Sequence, residues 1–395
     1  MSRSSYTVPV EPGVLRWARE SVGYEVGEVA AKIKVEAGDV EGWEAGTSSP
    51  TFPQLKRLSV TYKRSVATLL LPDVPLAVRP PRDFRTAYAR SAHPLTANTL
   101  RVMRRAERVQ ELTIELADDL GLGLRPSLPS LALSENVDVA AARLRGALVN
   151  IETLPSFGRD KQKAYDFWRE RAEALGVLVM QASMDRNQCR AFSLASGAAP
   201  LILINGKEFP APRSFSLLHE LAHLCLHSGA LCDMAWDAPL GTVSSVEVWC
   251  NGVAGAALVP AEALTGLRQL RDGVRRWSDT TLEEMAAPFG VSKEVILRRL
   301  LDQGLTERAY YEEKRADWQR KNDGMRDFVP RVPQGKLPLN RNGLTFSTIV
   351  SQARRSEMVS LRDAADYLGT KPKHMDAFES YLSAARAGRG AGRRR

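Results

Sequence analysis

Residues 214–227 read Ser-Phe-Ser-Leu-Leu-His-Glu-Leu-Ala-His-Leu-Cys-Leu-His and contain the pattern H-E-x-x-H from His219 to His223. Leucines recur at helical spacing around the two histidines, which predicts an amphipathic helix. On a helix the two imidazoles lie about 40° apart and one turn from each other, so both can hold one Zn²⁺ ion. Glu220 lies beside them, where its carboxylate can accept a proton from water.

A catalytic zinc site needs a third protein ligand and one open position. The residues considered for it are His227, Asp233, Asp237 and Glu247. His227 is unsuitable because about 12 Å of helical rise separates it from His219. The longer pattern H-E-x-x-H-x-x-G-x-x-H is excluded, since Leu226 and Gly229 stand where its glycine and last histidine belong.

Glu247 is the third ligand that we select. It begins a second helical run, 247–260, and a short loop after His223 would let this run return across the first helix. The alternative is an exposed carboxylate at a helix start, which the helix dipole favours.

The segment from about 165 to 260 resembles the ImmA/IrrE metallopeptidase family. The matching residues are 215–227, Glu247-x-x-Cys-Asn251 and 254–260. In that family the two histidines and the downstream glutamate bind zinc, the glutamate between the histidines is the general base, and the proteins are cytoplasmic proteases that cut a repressor partner. The resemblance therefore implies metal ligands His219, His223 and Glu247 and the general base Glu220. It also implies that Asn251 lies next to the metal ligands and helps to orient them.

The composition is that of an ordinary globular protein. The chain has 395 residues, 44% hydrophobic and 26% charged, which suits several domains with real cores. No run of 18 apolar residues occurs, so no membrane span is expected. The first residues lack the apolar core of a secretory signal, and the four cysteines form no C-x-x-C pair. Both observations favour a reducing cytoplasm.

Residues 12–70 read as a small helical domain. The run Trp43 to Pro50 resembles the helix-turn-helix of the phage-repressor-like (Xre) family, whose third helix enters the DNA major groove. Here the segment from Val35 to Glu44 has no lysine or arginine and carries four acids: Glu36, Asp39, Glu41 and Glu44. Phosphates repel such a face. The alternative is a helical domain used for protein contact or dimerisation.

The middle of the chain is predicted to contain a linker, helices and a small sheet. Four prolines lie between residues 71 and 81, and we interpret the following Asp83-Phe84-Arg85 as a loop anchor. Helices are predicted at 96–120, 137–149 and 161–175, and strands at 176–181, 191–195 and 200–205. An edge strand could pair with an extended peptide, and either the last or the middle strand could be that edge.

The C-terminal part is predicted to be helical. Residues 282–304 read as a helix-turn-helix with a turn at Gly290 and an N-cap at Ser292. This segment could bind in a DNA groove, or it could instead pack against the metallopeptidase core. Residues 340–382 contain two helical stretches around Gly369. The tail from Arg386 has five arginines and no acid, which predicts disorder.

The sequence thus predicts an α+β, predominantly helical protein with a zincin-like core. The predicted domains are 1–71 Xre-like helix-turn-helix, 72–150 proline-rich linker and long helices, 151–265 zincin-like metallopeptidase core, 266–330 helix-turn-helix-like region, 331–385 C-terminal helical region and 386–395 disordered tail. The predicted function is a zinc endopeptidase that regulates transcription by cleaving a repressor protein. The alternative is a DNA-binding regulator that uses the peptidase fold as a sensor or scaffold. Expected partners are the protein substrate, DNA through the N-terminal domain and a second copy in a homodimer, but no membrane.

Overall fold

The computed structural model describes residues 6–62, 64–74, 96–149, 155–185, 189–195, 197–227, 245–270, 273–322 and 332–392. The chain divides into two compact units, Met1–Arg105 and Ala106–Arg395. The class is α+β and predominantly helical, as predicted. None of the helices in these residues is long and apolar enough to cross a membrane. Several predictions fall outside the described residues, namely those on Asp83–Arg85, Asp233, Asp237 and the side chain of His227.

The first unit is a small helical bundle. Its helices are α1 Pro12–Ser21, α2 Val26–Ile33, α3 Ala37–Ala45, α4 Phe52–Tyr62 and α5 Val66–Leu69. Helices α2 and α3 both begin with a reciprocal capping box, formed by Glu25 with Glu28 and by Glu36 with Asp39. The apolar faces of helices α1 to α4 meet in one core, which includes the buried side chains of Leu15, Ile33, Trp43, Leu55 and Leu58.

The acidic surface of α3 is smaller than the sequence suggests. Glu44 is only 6% exposed, and its two carboxylate oxygens accept hydrogen bonds from Nε and Nη2 of Arg19 at 2.8 and 2.9 Å. Our expectation that Glu44 belongs to an acidic DNA-facing surface is therefore wrong: it is part of a core ion pair. Glu36, Asp39 and Glu41 remain exposed on α3.

The second unit holds the sheet and the remaining helices. Helix α6 (Ala97–Asp119) contains the boundary between the units. The other helices are α7 Val137–Leu148, α8 Lys161–Ala174, α9 Pro210–His227, α10 Ser245–Leu258, α11 Ala261–Thr265, α12 Asp279–Ala286, α13 Lys293–Asp302, α14 Arg308–Asn322, α15 Leu337–Arg355, α16 Leu361–Leu368 and α17 Met375–Gly392. The strands are β1 Leu178–Ala182, β2 Ala191–Leu194 and β3 Leu201–Asn205.

The sheet has the order β1-β3-β2, so the last strand of the sequence is its centre. Strand β3 pairs in parallel with β1 and antiparallel with β2, and all five of its residues are buried. The sequence left two strands as candidates for an edge of the sheet. The middle strand, β2, does lie at an edge, whereas the last strand, β3, lies in the centre. The reason is local: only six residues join β2 to β3, which suits an antiparallel neighbour, whereas parallel partners need a longer crossover.

Helix α15 packs against β1 and contains a kink at Gly343. Gly343 has φ 78° and ψ 173°, a backbone conformation that is accessible only to glycine. Here α15 approaches the sheet closely, and the next N–H, that of Leu344, donates to Glu173 Oε1 at 2.9 Å. A Cβ at residue 343 would overlap Glu173 Oε1 and lie 2.8 Å from the Val179 carbonyl oxygen.

Replacing Gly343 by alanine should therefore destabilise the second unit, by about 2–4 kcal/mol from combined backbone strain and overpacking. Urea unfolding followed by circular dichroism measures this. The matched control is Gly123→Ala, an exposed glycine without positive φ whose added Cβ would meet only the Arg125 side chain at 3.9 Å. An unchanged midpoint for Gly343→Ala would contradict the close packing.

Helices α12 and α13 belong to the same hydrophobic core as α9 and α10. Ser292 accepts a hydrogen bond from the Val295 N–H and Gly290 adopts φ 65°, as predicted for the cap and the turn. Arg299 of α13 is 1% exposed and donates to Asp138 Oδ1 at 2.6 Å and to the Val259 carbonyl at 3.1 Å. These contacts fit the packing alternative for this segment.

Three helices occur in the C-terminal region where the sequence predicted two stretches. They are α15, α16 and α17, with Gly369 ending α16 in the left-handed conformation. The structure also continues α17 to Gly392, across most of the tail for which composition predicted disorder. Extending an existing helix costs much less free energy than starting one, which is the local reason for this difference.

Candidate metal centre

Helix α9 is fixed at the end of the central strand by a buried arginine. Arg213 is 2% exposed, and its Nε and Nη2 donate to the carbonyls of Glu208 and Gly206 at 2.7 and 2.8 Å. The helix begins at Pro210. These bonds hold the turn after β3 against the first part of the helix and so set the height of its histidines above the sheet.

Helix α10 carries Glu247 back to α9. Its buried residues include the small Gly255, Ala256 and Ala257, and the helix packs against α9. Its other side packs on α7, and Trp249 Nε1 donates to the carbonyl of Glu135, two residues before α7, at 3.0 Å. That bond fixes the rotation of α10 about its axis, and Glu247 is left 5% exposed beside α9.

The three predicted ligands converge on one point. The Nε2 atoms of His219 and His223 lie 3.1 Å apart, and the Glu247 carboxylate oxygens lie 3.4 Å from the first and 3.3 Å from the second. One ligand atom from each of the three residues lies within 4.8 Å of the others. The return of α10 across α9 is thus present, as the interval between His223 and Glu247 predicted.

The electrostatics of the cluster favour a positive charge at its centre. Burial raises the pKa of Glu247, but hydrogen bonds and charge from His219 and His223 outweigh it and hold the pKa far below its ordinary value. Burial lowers the pKa of His223, yet contacts with Cys250 and Glu247 raise it well above the ordinary value. A carboxylate that stays ionised beside two imidazoles is the donor set that Zn²⁺ prefers.

The geometry fits a metal ion better than a purely structural hydrogen-bond cluster. Two imidazole Nε2 atoms at 3.1 Å share at most one proton between them, and both also face one carboxylate. His219 Nδ1 is buried without a hydrogen-bond partner among the described residues, so the described polar contacts of that ring are made by Nε2. A divalent cation would satisfy all three groups together.

Glu220 points toward the sheet rather than into the ligand cluster. Its Oε2 accepts a hydrogen bond from Ser193 Oγ of strand β2 at 2.8 Å. The carboxylate is partly exposed and one residue from His219, so it can meet water beside the cluster. This location suits the predicted general base.

Two further residues at this site were not predicted from the sequence. Ser193 contacts Glu220, and Cys250 contacts His223. Cys250 is buried, and burial raises the pKa of its thiol. The spacing of Cys250, three residues after Glu247, could have placed it on the ligand face of α10, whereas nothing in the sequence places Ser193 beside Glu220. Asn251 is half-buried one turn after Glu247.

Residues 172–301 match the family model of the IrrE N-terminal-like domain, Peptidase_M78. The matched segment contains the sheet, both helices of the site and the core helices α12 and α13. The match supports the ImmA/IrrE resemblance for this segment and gives it a metallopeptidase-type domain. The first unit lies outside it. No curated protein matches the chain.

Proposed function

We propose that this protein is a zinc-dependent endopeptidase that cleaves a protein partner, a transcriptional repressor, in the cytoplasm. The observation that carries the proposal is the meeting of His219, His223 and Glu247 at one point with Glu220 beside it. The metallopeptidase-type domain over 172–301 supports the chemistry. The repressor substrate and the cytoplasmic location come from the family resemblance.

Four residues of the chain have distinct roles in the proposed peptide hydrolysis. His219, His223 and Glu247 would hold the Zn²⁺ ion, which when bound polarises the scissile carbonyl and lowers the pKa of water. Glu220 accepts the proton of the attacking water and then delivers it to the leaving amine. Glu247 supplies the negative charge of the ligand set, beside two imidazoles that bind a metal in their neutral form.

Strand β2 is the surface on which we expect the substrate to lie. Asn205 N–H donates to the Arg190 carbonyl at 2.8 Å, so residues 190, 192 and 194 face β3 and the backbone groups of Ser193 face outward by antiparallel alternation. An extended peptide can pair along that outer edge and place a carbonyl beside Glu220. The other edge, β1, is packed against α15.

The experiment is incubation of the zinc-loaded protein with purified repressors encoded next to its own gene. We expect discrete cleavage products. Treatment with a chelator should abolish cleavage and added Zn²⁺ should restore it, because hydrolysis requires the bound ion. Intact repressors with fully loaded protein would contradict the repressor assignment. Failure to cleave unfolded protein substrates as well would contradict peptidase activity.

A DNA-binding regulator is the second candidate function. It draws support from a concave surface of the first unit, lined by Lys32, Lys56, Arg57, Val60 and Thr61. All three cations are exposed, and Arg57 uses one nitrogen to donate to the Ile33 carbonyl at 3.0 Å. This basic surface belongs to α2 and α4, whereas α3 exposes acids. If the unit binds DNA, we expect phosphates to contact α2 and α4.

Under this second candidate, the double variant Lys32→Glu/Lys56→Glu should lose affinity for a mixed-sequence DNA duplex. Two lost phosphate contacts should also reduce the slope of log K against log salt by about 2. Fluorescence anisotropy at several salt concentrations measures both. Lys371→Glu/Lys373→Glu, at two exposed positions of the second unit, is the control with an equal charge change. Undetectable binding by the unaltered protein would remove this candidate.

A further inference from the structure

We propose that Ser193 is a positioning residue for Glu220 and ties the general base to the strand that receives the substrate. The inference rests on the proposed peptidase function and adds a residue to it. Ser193 lies outside the H-E-x-x-H helix and takes no part in the ligand cluster.

The contact is a charge-assisted hydrogen bond. Ser193 Oγ is 2.8 Å from Glu220 Oε2, and an ionised carboxylate can only accept, so the hydroxyl donates. One carboxylate oxygen is thereby held toward the sheet. The second oxygen is left to receive a proton from water. One oxygen of Glu220 therefore positions the side chain, and the other takes part in the reaction.

The serine is unusual for its place in the strand. Its two neighbours, Phe192 and Leu194, are buried apolar residues, and Ser193 itself is only 9% exposed. Burying a hydroxyl costs free energy unless it is hydrogen-bonded, and the carboxylate of Glu220 provides that bond. An alanine or valine would serve packing alone, so the hydroxyl is explained by its contact with α9.

The backbone of the same residue faces the proposed substrate. The pairing of β2 with β3 directs the N–H and the carbonyl of Ser193 to the outer edge of the sheet, while its side chain holds Glu220. A peptide that pairs with Ser193 is therefore set in register with the general base. One residue thus links the position of the bound chain to the position of the catalytic carboxylate.

The test uses the full chain loaded with Co²⁺, whose visible spectrum reports on ligands added at the ion. Acetohydroxamate is the probe, because it chelates such an ion through two oxygens and gives up a proton that a neighbouring carboxylate accepts. We expect Ser193→Ala to bind one Co²⁺ as the unaltered protein does but to bind acetohydroxamate about 10-fold more weakly, the equivalent of one hydrogen bond to a charged group. Ser193→Thr keeps the hydroxyl and should restore the affinity.

Two comparisons separate this role from a general effect on folding. Ser214→Ala removes another buried hydroxyl, one that donates to the Pro210 carbonyl within α9 at 3.4 Å, and it should leave acetohydroxamate binding unchanged. Glu220→Gln should weaken binding at least as much as Ser193→Ala. Equal affinity in Ser193→Ala and the unaltered protein would overturn the inference and leave the peptidase proposal intact. A chain that binds no Co²⁺ would overturn both.

Discussion

Glu220→Gln should lower kcat for peptide hydrolysis by a factor of about 10²–10⁴, the usual contribution of a general acid–base group. The amide keeps the size of the side chain and can still contact Ser193, but it cannot take a proton from water. Because Glu220 is outside the ligand cluster, the variant should bind zinc as tightly as the unaltered protein. Quantified cleavage of an identified substrate, with metal content measured on the same sample, checks both statements.

Glu284→Gln is the matched control, since it makes the same change at an exposed glutamate on α12. It should retain full activity. If Glu220→Gln kept more than a tenth of the activity with zinc bound, another group would have to move the proton and the role given to Glu220 would be wrong.

Glu247→Ala should weaken zinc binding by more than about 100-fold, because loss of residues that only support ligands already costs 10–100-fold. Both imidazoles lie 3.3–3.4 Å from this carboxylate, so its removal leaves them without their shared anionic partner. A ligand that binds only the folded state raises stability by mass action. The unaltered protein should therefore melt at higher temperature when zinc is added, and Glu247→Ala should show almost no such shift.

The comparison for this second change is Glu262→Ala, an exposed glutamate on the short helix that follows α10. It should melt and bind zinc like the unaltered protein. If Glu247→Ala bound one zinc with undiminished affinity, Glu247 would not be the third ligand, and Asp233 and Asp237 would again become candidates.

Local spacing predicted the histidine pair, because residues four apart on a helix must lie one turn apart. The meeting of Glu247 with that pair depends on how α10 packs on α9. The interval between His223 and Glu247 indicated that meeting, and the family resemblance also implied it. Ser193 could not be found in the same way. Its contact with Glu220 follows from the strand order β1-β3-β2, and the sequence did not determine which strand lies at the edge of the sheet.

Residue type alone also misled the prediction for one charged residue, and it left one helix unpredicted. Glu44 looks like a surface acid in the sequence, yet Arg19 pairs with it in the core at 2.8 Å. Helix α14 was not predicted because most of its residues are charged or polar and no aliphatic stripe recurs at helical spacing. It is held instead by Tyr310, Tyr311 and Trp318, with Lys314 and Trp318 donating to Asp279 of α12.

Anomalous diffraction at the zinc edge, from crystals of the zinc-loaded protein, tests the metal centre most directly. We predict one strong peak per chain, about 2.0–2.2 Å from Nε2 of His219, Nε2 of His223 and a carboxylate oxygen of Glu247, with a position left open toward Glu220 and β2. A peak with four protein ligands, or a peak that lies away from Glu247, would contradict the account.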